Sequence, residues 1–228
     1  MSPTTAAFLR NALAALALCV LSLQCLAQTI VADVARVVGE VHAQAPAAAA
    51  RALRAGDPVY LGDRLVTASG ALLEITFRDR TRFTLGSETQ MTVKAYSAPE
   101  SDKPSFLAEI SRGVFRVVTG LIARSQPGTV RFITPTATIG IRGTHFGGET
   151  DGERAVIVLL EPEDAERTAI EVSNAFGAVT IDEPGYGTEI PDAQSPPSPP
   201  RRMRLRAVDN LLRSLSTIQR MQAPRMPR

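Results

Sequence analysis

Short runs in which apolar and polar residues alternate cover most of the chain, and turn-forming residues separate one run from the next. Alternation with a period of two is typical of strands that bury one face, and it differs from the longer repeat of an amphipathic helix. No long amphipathic helical pattern occurs before residue 190. The pattern therefore predicts an all-β body, with its clearest strands at 30–41, 71–77, 81–93, 109–118, 131–146, 155–160 and 170–181.

The most regular stretch is Arg131 to Phe146, which reads RFITPTATIGIRGTHF. Pro135 cannot donate a hydrogen bond to a neighbouring strand, so we expect it at an edge or a corner. Gly143 is expected where the backbone turns sharply or approaches another backbone closely. The stretch therefore predicts two short strands bent around a corner.

An earlier stretch, Arg64 to Phe83, is similar in sequence. Both stretches begin with an arginine, two apolar residues and a threonine, and both end in Thr-x-Phe. A degenerate repeat of about 67 residues predicts similar β-units stacked on one another, as in a compact β-coil or a short β-solenoid. Chance matching of two β-rich sequences is the alternative.

Two Gly-Asp pairs, Gly56-Asp57 and Gly62-Asp63, flank one short apolar rung. Glycine accepts positive φ and aspartate bonds to nearby backbone, so each pair predicts a turn. The two carboxylates could also be read as an acid–base pair, but their repeated context favours turn capping.

Residues 1–28 have the composition of a secretory signal peptide. Arg10 supplies a positive charge, 12–23 form a short apolar stretch, and Cys25-Leu26-Ala27 offers small residues for cleavage. We therefore expect an exported protein, in the periplasm, with a retained N-terminal anchor as the alternative. Both cysteines, Cys19 and Cys25, lie in this leader, so the mature protein would have no disulfide, cysteine nucleophile or zinc–thiolate site.

Charge is divided along the chain, because 29–190 carries −5, the residues from 191 onward carry +6, and the leader adds +1 to give the net +2. The proline-rich segment 191–201 is interpreted as an extended linker between a β-domain at 29–190 and a basic tail at 202–228. Within the tail, Arg202 to Met221 predicts an amphipathic helix. Such a helix can lie on an anionic membrane, dock in a partner's groove or pack on its own β-domain, with disorder as a fourth reading.

Residues that would carry catalysis or bind a cofactor are sparse. The two histidines, His42 and His145, have no adjacent metal-ligand pattern, and His145 is expected to be structural or exposed. The sequence has no Gly-x-Ser-x-Gly elbow, and the glycine-rich 140–148 lacks the lysine of a phosphate loop. The acidic loop 161–167 is read as solvated rather than calcium-binding. Because the arginine-rich tail lacks aromatic residues, we expect no nucleic-acid binding, and we also expect no cofactor, no metal and no enzyme.

Four segments together resemble the FecR domain family of periplasmic regulators of iron–siderophore uptake. They read GDPVYLGDRLVT, LLEITFRDRT, SRGVFRV and FITPTATIGIRGTHF, and the resemblance covers roughly 37–181. The residues that match the family pattern, which we expect to be structural, are Gly56, Asp57, Gly62, Asp63, Asp79, Thr81, Gly113, Thr134, Pro135, Arg142, Gly143, Thr144 and Phe146.

Two departures from the family pattern limit what the resemblance implies. Arg80 stands where the family usually has glycine, so a tight turn there would force positive φ on an arginine, and we expect a wider loop instead. Family members that regulate sigma factors carry a cytoplasmic segment and a membrane helix ahead of this domain. A leader of signal-peptide type occupies that place here, so the sigma-factor role is not implied.

The sequence and the resemblance together predict a non-catalytic periplasmic sensing, signalling or scaffold module that binds a periplasmic or membrane protein through exposed strand edges. A cell-envelope glycan-binding module is the alternative, and a hydrolase with a non-local site is a third class. Arg142 is singled out as a guanidinium that could hold an acidic turn containing Asp79 or Asp63.

Overall fold

The computed structural model describes residues 28–143, 145–161, 168–204, 206, 208 and 210. Within these ranges the chain forms strands almost throughout, with one short helix. The strands are β1 Ile30–Val38, β2 Val41–Gln44, β3 Arg51–Ala52, β4 Pro58–Tyr60, β5 Arg64–Thr67, β6 Leu72–Phe77, β7 Arg82–Leu85, β8 Gln90–Ser97, β9 Ser105–Val118, β10 Val130–Ile133, β11 Thr138–Arg142, β12 His145–Thr150, β13 Ala155–Leu159, β14 Ala169–Asn174, β15 Gly177–Ile181, β16 Tyr186–Ile190 and β17 Arg201–Arg202, and the helix is α1 Leu121–Ser125.

The strands form two sheets that share β9. Sheet A has the order β4-β1-β6-β7-β9-β12-β13-β16-β17, and sheet B has the order β3-β2-β5-β8-β9-β10-β11-β14-β15. The first half of β9 pairs with β8 and β10, and its second half pairs with β7 and β12. Every pairing is antiparallel except that of β9 with β10. The long strand β9 therefore ties the two sheets into one unit.

One hydrophobic core lies between the sheets, built from the inward-facing residues of both. Its centre is a group of phenylalanine rings, with centroids 4.5 Å apart for Phe77 and Phe106, 5.2 Å for Phe83 and Phe132, and 5.5 Å for Phe132 and Phe146. All five side chains are fully buried or nearly so. Tilted and edge-on ring contacts of this kind add to the stabilisation that comes from burial itself.

The bend of β9 between the sheets depends on Gly113, whose φ is +107°. A Cβ atom at this position would lie 2.3 Å from Thr89 Cα. The Thr89 hydroxyl accepts a hydrogen bond from Val114 N and donates one to Val114 O (3.1 and 3.0 Å), which fixes the close approach. Only glycine combines this φ with this approach.

The predicted all-β class is confirmed. The two similar stretches pair differently. β5 lies in sheet B and β6 in sheet A, whereas β10 and β11 are hydrogen-bonded neighbours within sheet B. The sequence similarity therefore does not extend to the partners of these four strands, because each strand takes the partners that its place in the fold offers.

The proline-rich segment, which the sequence indicates to be an extended linker, is bound to the domain. Ser198 Oγ accepts a hydrogen bond from Glu189 N (3.0 Å), and Thr188 Oγ1 donates to Ser198 O (2.7 Å). Asn174 Nδ2 donates to Ser195 O (2.8 Å), and Arg201 continues into β17 beside β16. Extended prolines need no internal hydrogen bonds, so the segment can run along an open strand edge and cover it. We call residues 195–204 the strap.

Beyond the strap, residues 206, 208 and 210 are helical. Val208 is fully buried in an apolar cluster with Val156 and Val158 on the outer face of sheet A, and it lies directly over Gly147. Of the alternatives predicted for the basic tail, packing on the β-domain is the one found at Val208. The leader, Thr144 and the rest of the tail lie outside the described residues. In the part of the chain that is described, no helix has the length and apolar character needed to cross a membrane.

Candidate binding site

The two Gly-Asp pairs form turns at one end of the domain. Gly56 and Gly62 have φ of +90° and +86°. Asp57 Oδ2 accepts a hydrogen bond from Arg54 N (2.7 Å), and Asp63 Oδ2 accepts one from Tyr60 N (2.8 Å). Each carboxylate therefore closes the turn that contains it, as its sequence context indicates.

Arg51, which sequence reasoning missed, holds the buried Asp63. Its two terminal nitrogens donate to the two carboxylate oxygens at 3.1 and 2.6 Å, and Nη2 also donates to Pro58 O (2.8 Å). The guanidinium lies 4.9 Å from the centre of the Tyr60 ring. Arg51 is on β3 at the edge of sheet B and Pro58 is on β4 at the edge of sheet A, so this group joins the two edges. The partner we expected for Asp63, Arg142, lies elsewhere.

The turn between β6 and β7 is organised by Asp79, which is completely buried. Its carboxylate accepts hydrogen bonds from Thr81 N (3.1 Å) and Thr81 Oγ1 (2.7 Å). Its backbone N donates to the Tyr96 hydroxyl (2.8 Å), and its carbonyl accepts from Leu121 N at the start of α1 (2.8 Å). Burial, and then the nearby Asp79 carboxylate, raise the pKa of Tyr96 above its usual value. Asp79 is thus held without an arginine among the described residues.

Arg80 has a φ of +69°, so the expectation that the loop would spare it is wrong. The turn does have three residues between Phe77 and Thr81, with Arg80 N donating to Phe77 O (2.9 Å) and Phe77 N donating to Thr81 O (2.8 Å). A three-residue hairpin loop of this type places its last residue in the left-handed region. The wider loop therefore leaves Arg80 with the positive φ that a tight turn would have required of it.

The distinctive block 131–146 is divided between the sheets. Pro135 is exposed in the turn between β10 and β11, where Ala137 N donates to Thr134 Oγ1 (3.1 Å). Gly143, with φ of +57°, lies where the chain leaves sheet B for sheet A, and Phe146 enters the core. The predicted corner is therefore at Gly143, and the two strands before it form a hairpin.

His145 is nearly buried and its ring is bonded on both sides. Its Nε2 accepts a hydrogen bond from Arg116 Nε (2.7 Å), so its Nδ1 carries the proton and donates to Glu161 O (2.6 Å). Both nitrogens join structural groups, as expected for a histidine that shapes the fold rather than one that takes part in catalysis.

A cleft of about 330 Å³ opens on the outer face of sheet B, within the same block. Gly140 forms its floor, because Gly140 pairs with Arg131 on β10 and with Glu171 on β14. Residues paired across antiparallel strands share a face, so Arg131 and Glu171 stand on opposite sides of Gly140, with Arg142 two residues further along β11. All three charged residues are exposed.

The charged groups of this cleft are unpaired. Among the residues that the structure describes, the guanidinium groups of Arg131 and Arg142 form no hydrogen bond or ion pair, and neither does the Glu171 carboxylate. Other exposed charges on the sheets do pair, such as Lys94 with Glu109 at 2.8 Å. The cleft therefore offers two cations and one anion to a ligand.

A second cleft, of about 380 Å³, lies beside the bend of β9 and contains Arg112, Glu149 and Arg154. Two of its charged groups are engaged, since Arg154 Nε pairs with Glu189 (3.1 Å) and Asp151 accepts hydrogen bonds from Glu153 N and Arg154 N. These backbone bonds lower the pKa of the Asp151 carboxyl. The arrangement is that of a capped hairpin turn.

These observations define an all-β domain of two sheets that share the long strand β9. Arg51 joins the sheet edges at one end, and the outer face of sheet B is open. Residues 63–163 match the model of the family described as FecR protein. This match confirms the resemblance seen in sequence over these residues. The matched range begins after Gly62, includes the block 131–146, and ends before Glu171, which lines the cleft over Gly140.

A solved structure supports the same fold. A structure described as a "putative anti-sigma factor" from Parabacteroides distasonis ATCC 8503 aligns with a TM-score of 0.51 and 14% identity over 68% of this chain and 70% of its own. Another structure with that description and source has a TM-score of 0.49 and 16% identity, over 65% of this chain. The chain spans 64% of the length of the latter. No curated protein sequence matches the chain.

Proposed function

We propose that this protein is an exported, non-catalytic FecR-domain module of a signalling or scaffold system, and that it binds another protein through the outer face of sheet B. The FecR domain supports a regulatory role. The fold is shared with structures described as "putative anti-sigma factor", which supports the same role. The leader-like residues 1–28 support export.

The observation that carries the proposal is the contrast between the two outer faces. On sheet A, Val156 and Val158 are covered by Val208, and the β16 edge is covered by the strap. On sheet B every outward-facing residue of the central strands is partly or fully exposed. These residues include Thr92, Lys94, Leu107, Glu109, Arg131, Ile133, Thr138, Gly140, Arg142, Glu171, Ser173 and Thr180.

The sequence predicts exposed strand edges as the contact surface. We propose the face of sheet B instead, because several of these edges are covered or joined. The strap lies along β16, and Arg51 bridges the edges at β3 and β4. Natural proteins cover such edges to prevent unwanted pairing. A broad, polar, uncovered sheet face with charged groups at its centre is the better surface for a specific partner.

Site-specific photo-crosslinking in the producing cell tests this function. A photo-reactive residue at Thr180, on the outer face of sheet B, should give one discrete protein adduct. The same group at Glu153, exposed in the hairpin turn between β12 and β13, should not. Sedimentation of the protein with purified cell wall, with no adduct from Thr180, would instead support the glycan-binding alternative.

Export is tested separately by the N-terminus of the protein recovered from the cell envelope fraction. Removal of about the first 28 residues is expected, because the apolar stretch of the leader is short for a membrane anchor. A protein that keeps its leader and stays with the membrane would contradict the signal-peptide interpretation.

A further inference from the structure

We propose that the cleft over Gly140 binds an acidic side chain of the partner protein, with Arg131 and Arg142 as the carboxylate ligands and Glu171 as the residue that restricts the charge of the bound segment. This inference rests on the proposed function, because it names the chemistry by which the face of sheet B recognises a partner.

The register of the strands sets the dimensions of the cleft. Neighbouring strands lie about 4.8 Å apart, so Arg131 and Glu171, two strands apart across Gly140, have Cα atoms separated by about 10 Å. Arg142 is displaced by about 7 Å along β11 on the same face. Two long guanidinium side chains can therefore converge over Gly140 on one carboxylate, whose four acceptor sites suit two arginines.

The lack of bonded partners for the guanidinium groups of Arg131 and Arg142 distinguishes these arginines from those that stabilise the fold. The Arg51 guanidinium binds both Asp63 oxygens and a backbone carbonyl. Arg36 pairs with Glu74 (3.2 Å). By contrast, the guanidinium groups of Arg131 and Arg142 donate no hydrogen bond to the described part of the fold. Their donors remain available to a ligand, and charge complementarity selects an anionic one.

Glu171 makes the site selective as well as attractive. Its carboxylate stands on the opposite wall from Arg131 and would repel a second acidic residue placed there. The site therefore suits an extended segment with an isolated acidic residue followed by neutral or basic residues. A run of acidic residues would be disfavoured at this wall.

Gly140 gives a way to close the cleft without removing any charge. It is an outward-facing strand residue, and a Cβ atom there would meet its nearest neighbour, Glu171 O, at 3.9 Å. Threonine favours strands and has room at this position, so Gly140→Thr should keep or raise the melting temperature while filling the floor of the site. This variant separates a binding role from a structural one.

The test is an NMR titration of the purified, isotope-labelled protein with acetyl-Ala-Glu-Ala-amide. The matched acetyl-Ala-Gln-Ala-amide and inorganic phosphate are titrated in parallel at constant ionic strength. We expect saturable shifts of the amides of Gly128, Gly140 and Glu171 with the Glu peptide and at least tenfold weaker binding of the Gln peptide. Arg131→Gln, Arg142→Gln and Gly140→Thr should each weaken binding at least fivefold, and Arg112→Gln, an exposed arginine outside the cleft, should leave it unchanged.

Three results would overturn the inference. They are equal binding of the Gln peptide, equal losses in Arg112→Gln and Arg142→Gln, and phosphate binding at these amides tighter than that of the Glu peptide, which would identify a general anion site. Crosslinking separates this inference from the proposed function. A Thr180 adduct that persists in the Arg131→Gln, Arg142→Gln double variant would contradict the inference alone. Absence of an adduct from Thr180 in the otherwise wild-type protein would contradict the proposed function.

Discussion

Arg80 is a residue whose backbone conformation favours glycine. Its φ of +69° is held by the hydrogen bonds of the β6–β7 turn, and a non-glycine residue in this region is disfavoured by about 1 kcal/mol. We expect Arg80→Gly to raise the free energy of unfolding by about 0.5–1 kcal/mol, measured by urea denaturation. Arg78→Gly, in the same turn without positive φ, is the control and should lower stability. A gain in both variants would show that φ is not the cause.

Arg51 and Arg142 are expected to differ in how much they contribute to the stability of the protein. The sequence had indicated Arg142 as the residue that holds an acidic turn. Arg51→Met keeps the apolar stem but leaves the fully buried Asp63 without its cation, which should destabilise the protein by about 3–5 kcal/mol. Arg142→Met removes no described hydrogen bond or ion pair and should change stability by less than about 0.5 kcal/mol. Thermal and urea unfolding of the two variants side by side measure this. A stable Arg51→Met protein would show that Asp63 is held by its turn alone.

At the scale of the element, the bend of β9 decides whether the two sheets form one domain. Gly113→Ala would place a Cβ atom 2.3 Å from Thr89 Cα, so we expect a loss of about 3 kcal/mol or failure to fold. Gly70→Ala is the matched control, because Gly70 also has positive φ (+71°) but has no atom within 4 Å of the added carbon. It should lose only about 1 kcal/mol. Similar losses of stability in both variants would show that the positive φ causes the whole effect, and not the close approach of Gly113 to Thr89.

At the scale of the whole molecule, the strap closes the domain. A chain that ends at Ile190 loses the Ser198 hydrogen bonds, β17 and the Val208 packing, and it leaves the β16 edge and an apolar patch open. We expect it to be less stable by several kcal/mol and to self-associate, measured by urea denaturation and by size-exclusion chromatography with light scattering. A chain that ends at Asn210 keeps all of these contacts and should behave as the full chain does. Equal behaviour of the two truncated chains would show that the strap is dispensable.

Much of the fold could be read from the sequence because it depends on local rules. Period-two alternation gave the strands, and the Gly-Asp pairs lie in turns with positive φ. The block 131–146 indicated the FecR domain, which the match over 63–163 confirms. Arg142 was singled out from that block. Its neighbours in the cleft, Arg131 and Glu171, were not identified, since only the register of three strands brings them together around Gly140.

By itself the sequence determined the all-β class, the main turns and the resemblance to the FecR family, because backbone preference and side-chain alternation are properties of adjacent residues. The tertiary structure alone decided that Arg51, not Arg142, binds Asp63, that the proline-rich segment lies against β16, and that β5–β6 and β10–β11 pair differently. Each of these is a choice between partners of similar chemistry far apart in sequence. Such a choice depends on which groups the packed sheets bring within reach, and no local pattern records it.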